Sequence, residues 1–246
     1  SRGLGDVYKR QVILFLDKER IKIMKKFLSG LFLCILLFCT GCESSKTKEE
    51  LIGIDFNING NETSLDNYDT ENPVVAMEIS GYGAIVMELY PDIAPNTVNN
   101  FISLIKNGFY DNNSFHRLVP GFVLQGGDPK GDGTGGPGYT IKGEFTNNRF
   151  TNTLKHTKGI VSMARSSEND SAGSQFFIML DTATNLDNNY AAFGKVIDGM
   201  DLIDKIASNE VVANSQTGKL KKNLTIKKAL VDTKGKEYIE PTIISN

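Results

Sequence analysis

Cysteine is scarce in this chain of 246 residues: there are three, Cys34, Cys39 and Cys42, and all precede any stretch patterned to fold. Nothing downstream can form a disulfide or a thiolate metal site, so the core must hold by packing alone. Two histidines, His116 and His156, are too few for a multi-histidine centre, and neither metal nor cofactor is expected. A net charge of −2 gives no broad attraction to phosphate backbones, which argues against a nucleic-acid partner. Lys219, Lys221 and Lys222 read as a solvated face. Also missing are a Gly-Lys-Ser/Thr ending to the glycine-rich stretch and a Gly-x-Ser-x-Gly nucleophile elbow. Their absence speaks against phosphate cradling and against a hydrolase triad drawn from Ser162, Ser174, Asp128 and the histidines.

Long apolar runs are limited to one. Met24, Lys25 and Lys26 precede an uncharged stretch rich in Leu, Ile and Phe over residues 27–40. This is a positive region followed by an apolar one, as export requires, and it is shorter than the roughly 20 residues of a spanning helix. Thr40 and Gly41 stand immediately before Cys42, which resembles a bacterial lipoprotein box, although Cys39 occupies a place where such boxes usually carry Leu. The resemblance implies cleavage ahead of Cys42, acylation of its thiol, and an extracytoplasmic protein anchored to a membrane of the bacterial cell envelope. Residues 1–23 are read as an upstream segment outside the native protein, 24–41 as the signal, and 42–72, rich in Lys, Glu, Asn, Ser and Thr, as a lipid-anchored flexible tether. Within it Ile52, Ile54, Phe56 and Ile58 alternate, leaving room for a short strand.

From Val74 the pattern becomes short apolar runs. Residues 74–79 and 84–89, separated by Gly81-Tyr82-Gly83, predict a hairpin. Pro95 opens a helix in which Val98, Phe101, Ile102 and Ile105 recur at i, i+3, i+4 and i+7, and Gly108 stops it. Further strands are expected at 114–119, 122–125, 160–164, 175–180, 192–196 and 224–231, and a second helix at 200–207. Many short strands with two helices predict a mainly β, antiparallel barrel or sandwich, since a parallel sheet needs a helix in nearly every connection. The glycines between Gly121 and Gly143 predict a long ordered loop using positive φ. One domain over 73–241, with a tail at 242–246, accounts for the body of the chain.

Phe115-His116-Arg117-Leu118-Val119-Pro120-Gly121-Phe122-Val123-Leu124-Gln125-Gly126-Gly127-Asp128 resembles the cyclophilin signature almost position by position. Gly133-Thr134-Gly135-Gly136, Gly173-Ser174-Gln175-Phe176-Phe177-Ile178 and Phe193-Gly194-Lys195-Val196 agree in order. The resemblance implies a closed eight-stranded antiparallel barrel capped by two helices, and peptidyl-prolyl cis-trans isomerase activity. It makes Arg117 the catalytic cation and Gln125 its polar neighbour. Phe122, Val123, Phe177 and Leu186 would wall the proline pocket, with Phe115, Met163, Ala164 and Thr134 lining or shaping the adjoining groove. Three positions of the binding rim depart from the family pattern. Tyr190 stands where many members have His, Asn185 where many eukaryotic members have Trp, and Arg165 where many have Asn, which bears on cyclosporin affinity and sequence preference.

Rotation about an X-Pro bond breaks no covalent bond, so a chain without nucleophile, metal or redox group suits it. The expected substrates are proline-containing segments of exported proteins, whose folding the enzyme would speed as a monomer. The alternative is a chaperone or scaffold module that grips such segments without catalysis. His116 follows Phe115 and precedes Arg117 on a strand, so period two points it away from Arg117, as a structural or hydrogen-bonded residue.

Overall fold

The computed structural model describes residues 56–58 and 61–245. The segment 1–23, the expected signal at 24–41, Cys42 and residues 43–55 of the expected tether lie outside the described residues. Among the described residues no helix is long and apolar enough to cross a membrane.

The fold begins ahead of residue 73, earlier than the sequence suggests. Strand β1 (Phe56–Ile58) pairs antiparallel with β2 (Asn61–Thr63), so the alternation seen there does form a strand. A 3-10 turn at Leu65–Asn67 comes next, and its Leu65 is buried with Val74, Ala76, Ala84 and Val86. Tyr68 packs against the same cluster and donates to Asp198, and Thr70 and Asn72 donate to Glu88, so this part of the expected tether is docked on the barrel.

Strands β3 (Val74–Ile79) and β4 (Gly83–Leu89) form the expected hairpin, with Val74 opposite Glu88 and Ile79 opposite Gly83. Helix α1 (Pro95–Lys106) buries Val98, Phe101, Ile102 and Ile105. Ala94 precedes it and has no side chain to cap with. The buried carboxylate of Glu144 instead accepts from the backbone N–H groups of Asn96 at 3.0 Å and Thr97 at 2.8 Å. A negative group there satisfies orphan donors and complements the helix dipole.

Downstream come β5 (Ser114–Val119), β6 (Val123–Gly126), β7 (Tyr139–Ile141), β8 (Ile160–Met163), β9 (Phe176–Met179), β10 (Ala192–Asp198), α2 (Met200–Asn209), β11 (Val212–Asn214), β12 (Lys219–Asp232) and β13 (Ile243–Ser245). In space the order runs β12-β3-β4-β10-β8-β9-β6-β5, and β5 pairs back onto β12. Eight antiparallel strands thus close on themselves, which removes the free sheet edges that invite association. β11 is added beside β12, and β13 pairs with β7. The segment beyond residue 241, expected to be a tail, is therefore part of the fold.

Beyond the cluster around Leu65, strand alternation sorts side chains between two further apolar clusters. Leu118, Leu124, Val161, Met163, Phe176, Ile178 and Phe193 share one core with Phe101 and Ile102 of α1 and Ile203 and Ile206 of α2. Phe101 meets Tyr110, Phe176 and Phe193 with ring centroids 5.0, 5.3 and 5.0 Å away, tilted or edge-on, arrangements that aromatic quadrupoles favour. Val123, Ile160, Phe177, Met179, Leu186 and Ala192 form the other cluster. That second cluster carries the site.

Candidate active site

The hairpin of β5 and β6 turns through Pro120-Gly121-Phe122, with Gly121 at φ +70° and the Phe122 N–H donating to the Val119 carbonyl at 2.9 Å. A bulge interrupts the pairing between Phe115 and Arg117. An extra residue in one strand reverses the facing of the residues beyond it. Phe115 accordingly lies in the barrel core, fully buried, while Arg117 is half-buried on the other face. Strict period two would have put both at the groove.

Past the bulge, register builds a row. Arg117 stands opposite Gln125, Gln125 opposite Phe177, and Phe177 opposite Ser162, one residue from each of β5, β6, β9 and β8. Neighbouring strands lie about 4.8 Å apart, so these side chains are immediate neighbours. The same alternation sends Met163 inward, 1% exposed, although the motif places it at the groove.

Arg117 is held from two sides. Its Nε donates to the Thr217 carbonyl at 2.8 Å and its Nη1 to Gln125 Oε1 at 3.0 Å. Gln125 Nε2 in turn donates to Gln175 Oε1 at 3.0 Å, and Gln175 Nε2 to the Gly133 and Gly135 carbonyls at 3.0 and 2.9 Å. Among the described residues Arg117 Nη2 has no hydrogen-bond partner, and the guanidinium has no carboxylate partner. Burial lowers its pKa, with Tyr190 opposing, yet an arginine remains charged at neutral pH.

Beside it opens a cleft of about 230 Å³ lined by Arg117, Phe122, Val123, Gln125, Ala164, Arg165, Phe177, Leu186 and Tyr190. Nine of the residues named by the motif thus meet around one space. Phe177 and Tyr190 contact edge-on at 5.7 Å. Adjoining it is a larger cavity of about 520 Å³, sharing Gln125, Ala164 and Arg165 and bounded chiefly by polar residues and glycines: the loop 133–140, Ser166, Ser171 and Gln175. Thr134 lines this second space. Asn185 lines neither; it is exposed, and its carbonyl accepts from Asn189 Nδ2 at 3.2 Å.

The glycine-rich loop is ordered by one buried carboxylate. Asp128 accepts from the backbone N–H groups of Lys130 at 2.8 Å, Asp132 at 3.1 Å and Gly133 at 2.6 Å. Burial alone would raise its pKa, but the N–H donors of Lys130, Gly133, Gly135 and Asp132 together hold it below the usual range. A Cβ at Gly135 would collide with Asp128 Oδ1, so the close approach requires glycine.

Behind Phe177 runs a line of polar groups invisible in the sequence. His156 Nε2 lies 3.0 Å from Ser162 Oγ, and Nδ1 lies 3.1 Å from Asp187 Oδ1. The residue types are those of a hydrolase triad, but Ser162 is wholly buried in mid-strand and His156 is 1% exposed, so no substrate carbonyl can reach them. His156 stacks against Phe177 at 6.1 Å and meets Tyr190 edge-on at 6.5 Å, so the line buttresses the aromatic wall. Burial, helped by the charge of Lys155, lowers the His156 pKa, with Asp187 opposing. His116 is also buried, with its pKa lowered chiefly by that burial, but neither ring nitrogen has a partner. Of the two readings, structural or hydrogen-bonded, a buried ring without a hydrogen-bond partner among the described residues fits the first.

The family model for cyclophilin type peptidyl-prolyl cis-trans isomerase/CLD matches residues 74–231. Peptidyl-prolyl cis-trans isomerase B of Bacillus subtilis (strain 168) is 47% identical over 128 residues, which span 52% of this chain and 86% of the relative. The peptidyl-prolyl cis-trans isomerase of Helicobacter pylori (strain ATCC 700392 / 26695) is 42% identical over 132 residues, 53% of this chain and 78% of that one. Among solved structures, a cyclophilin type peptidyl-prolyl cis-trans isomerase of Cryptosporidium parvum, crystallised in the presence of the dipeptide Ala-Pro, is similar with a TM-score of 0.57 and 32% identity. That match covers 65% of this chain and 98% of the other.

Proposed function

The chain belongs to the cyclophilin-type peptidyl-prolyl cis-trans isomerase family, and on that premise we propose that its apolar cleft receives the ring of a substrate proline while Arg117 lowers the barrier to rotation. The activity is peptidyl-prolyl cis-trans isomerisation, and the substrates are proline-containing polypeptides. One observation carries the assignment of roles: a guanidinium tied down through Nε and Nη1, with Nη2 unpartnered among the described residues, at the edge of a cleft walled by Phe122, Val123, Phe177 and Leu186.

The chemistry follows from the amide. Its rotational barrier of about 18 to 20 kcal/mol comes from resonance between nitrogen and carbonyl. As the bond twists, resonance is lost and the prolyl nitrogen acquires a lone pair able to accept a hydrogen bond. An N–H of Arg117 donating there binds the twisted state more strongly than either planar one, which is the condition for raising a rate. Gln125 supports the donor by fixing the fork, and Phe122 and Phe177 hold the ring while the preceding carbonyl turns. Each ~1.4 kcal/mol of preferential binding gives a tenfold acceleration. The reading of a module that grips proline without catalysis is not favoured, because an oriented donor with one free nitrogen adds nothing to ring burial.

The cleft is complete within one chain, which supports action as a monomer. Lys25 and Lys26 ahead of the apolar run, and Thr40-Gly41 ahead of Cys42, support export, acylation at Cys42 and service to exported proteins at a membrane of the cell envelope. Mass spectrometry of the native N-terminus tests the anchor: an acylated Cys42 is expected, and an intact leader or a free mature thiol contradicts it. For the reaction, cis-to-trans exchange of an Ala-Pro peptide is compared between the wild type and Arg117→Ala. A loss of about a hundredfold is expected, and equal rates contradict the role of Arg117.

A further inference from the structure

A second guanidinium stands where the two cavities meet. Arg165 lines both. Its Cζ lies 5.0 Å from the centroid of Phe145 and 4.8 Å from that of Tyr190, so two aromatic rings hold it. Nε donates to the Asn189 carbonyl at 3.0 Å and Nη1 to the Ser166 and Ser167 carbonyls at 3.0 and 3.2 Å. Every one of these acceptors is neutral. Among the described residues Nη2 has no hydrogen-bond partner and no carboxylate forms an ion pair with Arg165.

The charges around it are one-sided. Among the described residues Arg117, Lys130 and Arg165 line the two cavities, and no Asp or Glu does. Lys130 lies beside Asp128 and Asp132, which offset it. Arg117 and Arg165 have no such offset, in a chain whose net charge is −2. Two cations facing one half-buried space repel each other, and an anion placed between them relieves both. A guanidinium held flat by aromatic faces, with one nitrogen still free to donate, is pre-organised for a carboxylate.

We propose that Arg165 makes this enzyme selective for X-Pro bonds flanked by an acidic side chain, its carboxylate lying at the seam between the cleft and the larger cavity. The proposal rests on the isomerase reading and adds the substrate class. Consecutive Cα atoms are about 3.8 Å apart, so a side chain one or two residues from a proline seated in the cleft reaches the shared wall.

The test is kcat/KM for exchange on matched peptides carrying Glu, Gln or Lys at the residue before proline or at the one preceding it. For the wild type the expected order at one of these positions is Glu, then Gln, then Lys, with Glu favoured over Lys by about three- to tenfold in low salt and by less as salt rises. Arg165→Gln is expected to bring that ratio near one, and Arg165→Lys to keep its direction while reducing its size. A wild-type ratio near one, a ratio indifferent to salt, or an unchanged ratio in Arg165→Gln overturns the proposal. Should Arg165→Gln fail to fold, the wild-type salt dependence and Arg165→Lys decide it. Catalysis of the Gln peptide without acidic preference defeats this inference alone, whereas no catalysis of any peptide defeats the isomerase reading and this inference with it.

Discussion

The cleft walled by Phe122, Val123, Phe177 and Leu186 and the cavity beside it share Gln125, Ala164 and Arg165 but are built from different elements. The cleft stands on paired strands, where Arg117, Gln125, Phe177 and Ser162 succeed one another in register and a buried line of Ser162, His156 and Asp187 backs the aromatic wall. The cavity is edged by a glycine-rich loop gathered around the carboxylate of Asp128 and tied to the barrel by Gln175. A ring that must stay still while the bond beside it turns needs a wall that cannot give, and closed strand pairing supplies one. A site that takes up the varied residues around a proline needs polar groups and room, which a loop supplies without altering the wall.

Disrupting the wall should have the largest effect. Phe177 is 5% exposed and meets both His156 and Tyr190. Phe177→Ala removes packing and the ring surface together, with an expected loss of about 3 to 5 kcal/mol of stability and of most exchange activity, checked by denaturant unfolding and peptide exchange. The cavity should respond differently. Gly135→Ala puts a methyl group against Asp128 Oδ1, and accommodating it is expected to cost about 1 to 3 kcal/mol, expressed as loop displacement. Its signature is weaker binding of extended peptides with activity on minimal Ala-Pro substrates largely kept. Equal loss on long and short peptides would erase the distinction between the regions.

Acid probes the same contrast more gently. His156 and His116 are buried with folded pKa values below the usual one. Such groups bind protons more readily when unfolded, so their contribution is fully present above the unfolded value of about 6.5 and is lost as pH falls through the folded values. Asp128 is likewise depressed, so its contribution is present above its unfolded value of about 3.9 and is lost only as pH falls further, through its folded one. Thermal unfolding should therefore weaken first below about pH 6.5, with a shallower decline in His156→Asn than in the wild type. Loss of the loop's contribution should come only in stronger acid. Coincident losses would contradict the assignment of the first step to the histidines.

Much of this was legible in the residues. The β3–β4 hairpin and α1 follow from turn glycines and from a four-point helical stripe, signals contained within a few residues. β7, β11 and β13 are three-residue strands, and so short a segment has no period of its own. β12 begins at Lys219, five residues before its sequence signal, because Lys219, Lys221 and Lys222 face solvent while Leu220 between them is buried. At the site, motif matching gathered the residues of the cleft, but facing depends on the bulge, which no local pattern marks. Hence Phe115 lies in the core, while Met163 is carried there by the ordinary alternation of β8 next to Ser162. The Ser162, His156 and Asp187 line joins residues up to 31 positions apart, and spacing alone gives no reason to connect them.

The proposed mechanism turns on Arg117 binding the twisted bond more strongly than the planar one, and Arg117→Lys tests it most directly, since charge is kept and the planar fork is lost. Exchange of an Ala-Pro peptide at saturation, measured by NMR alongside the peptide's dissociation constant, separates rate from affinity. The expected result is a fall in kcat of about tenfold or more with affinity changed by less than about threefold. An unchanged kcat, or a loss lying wholly in affinity, would contradict it.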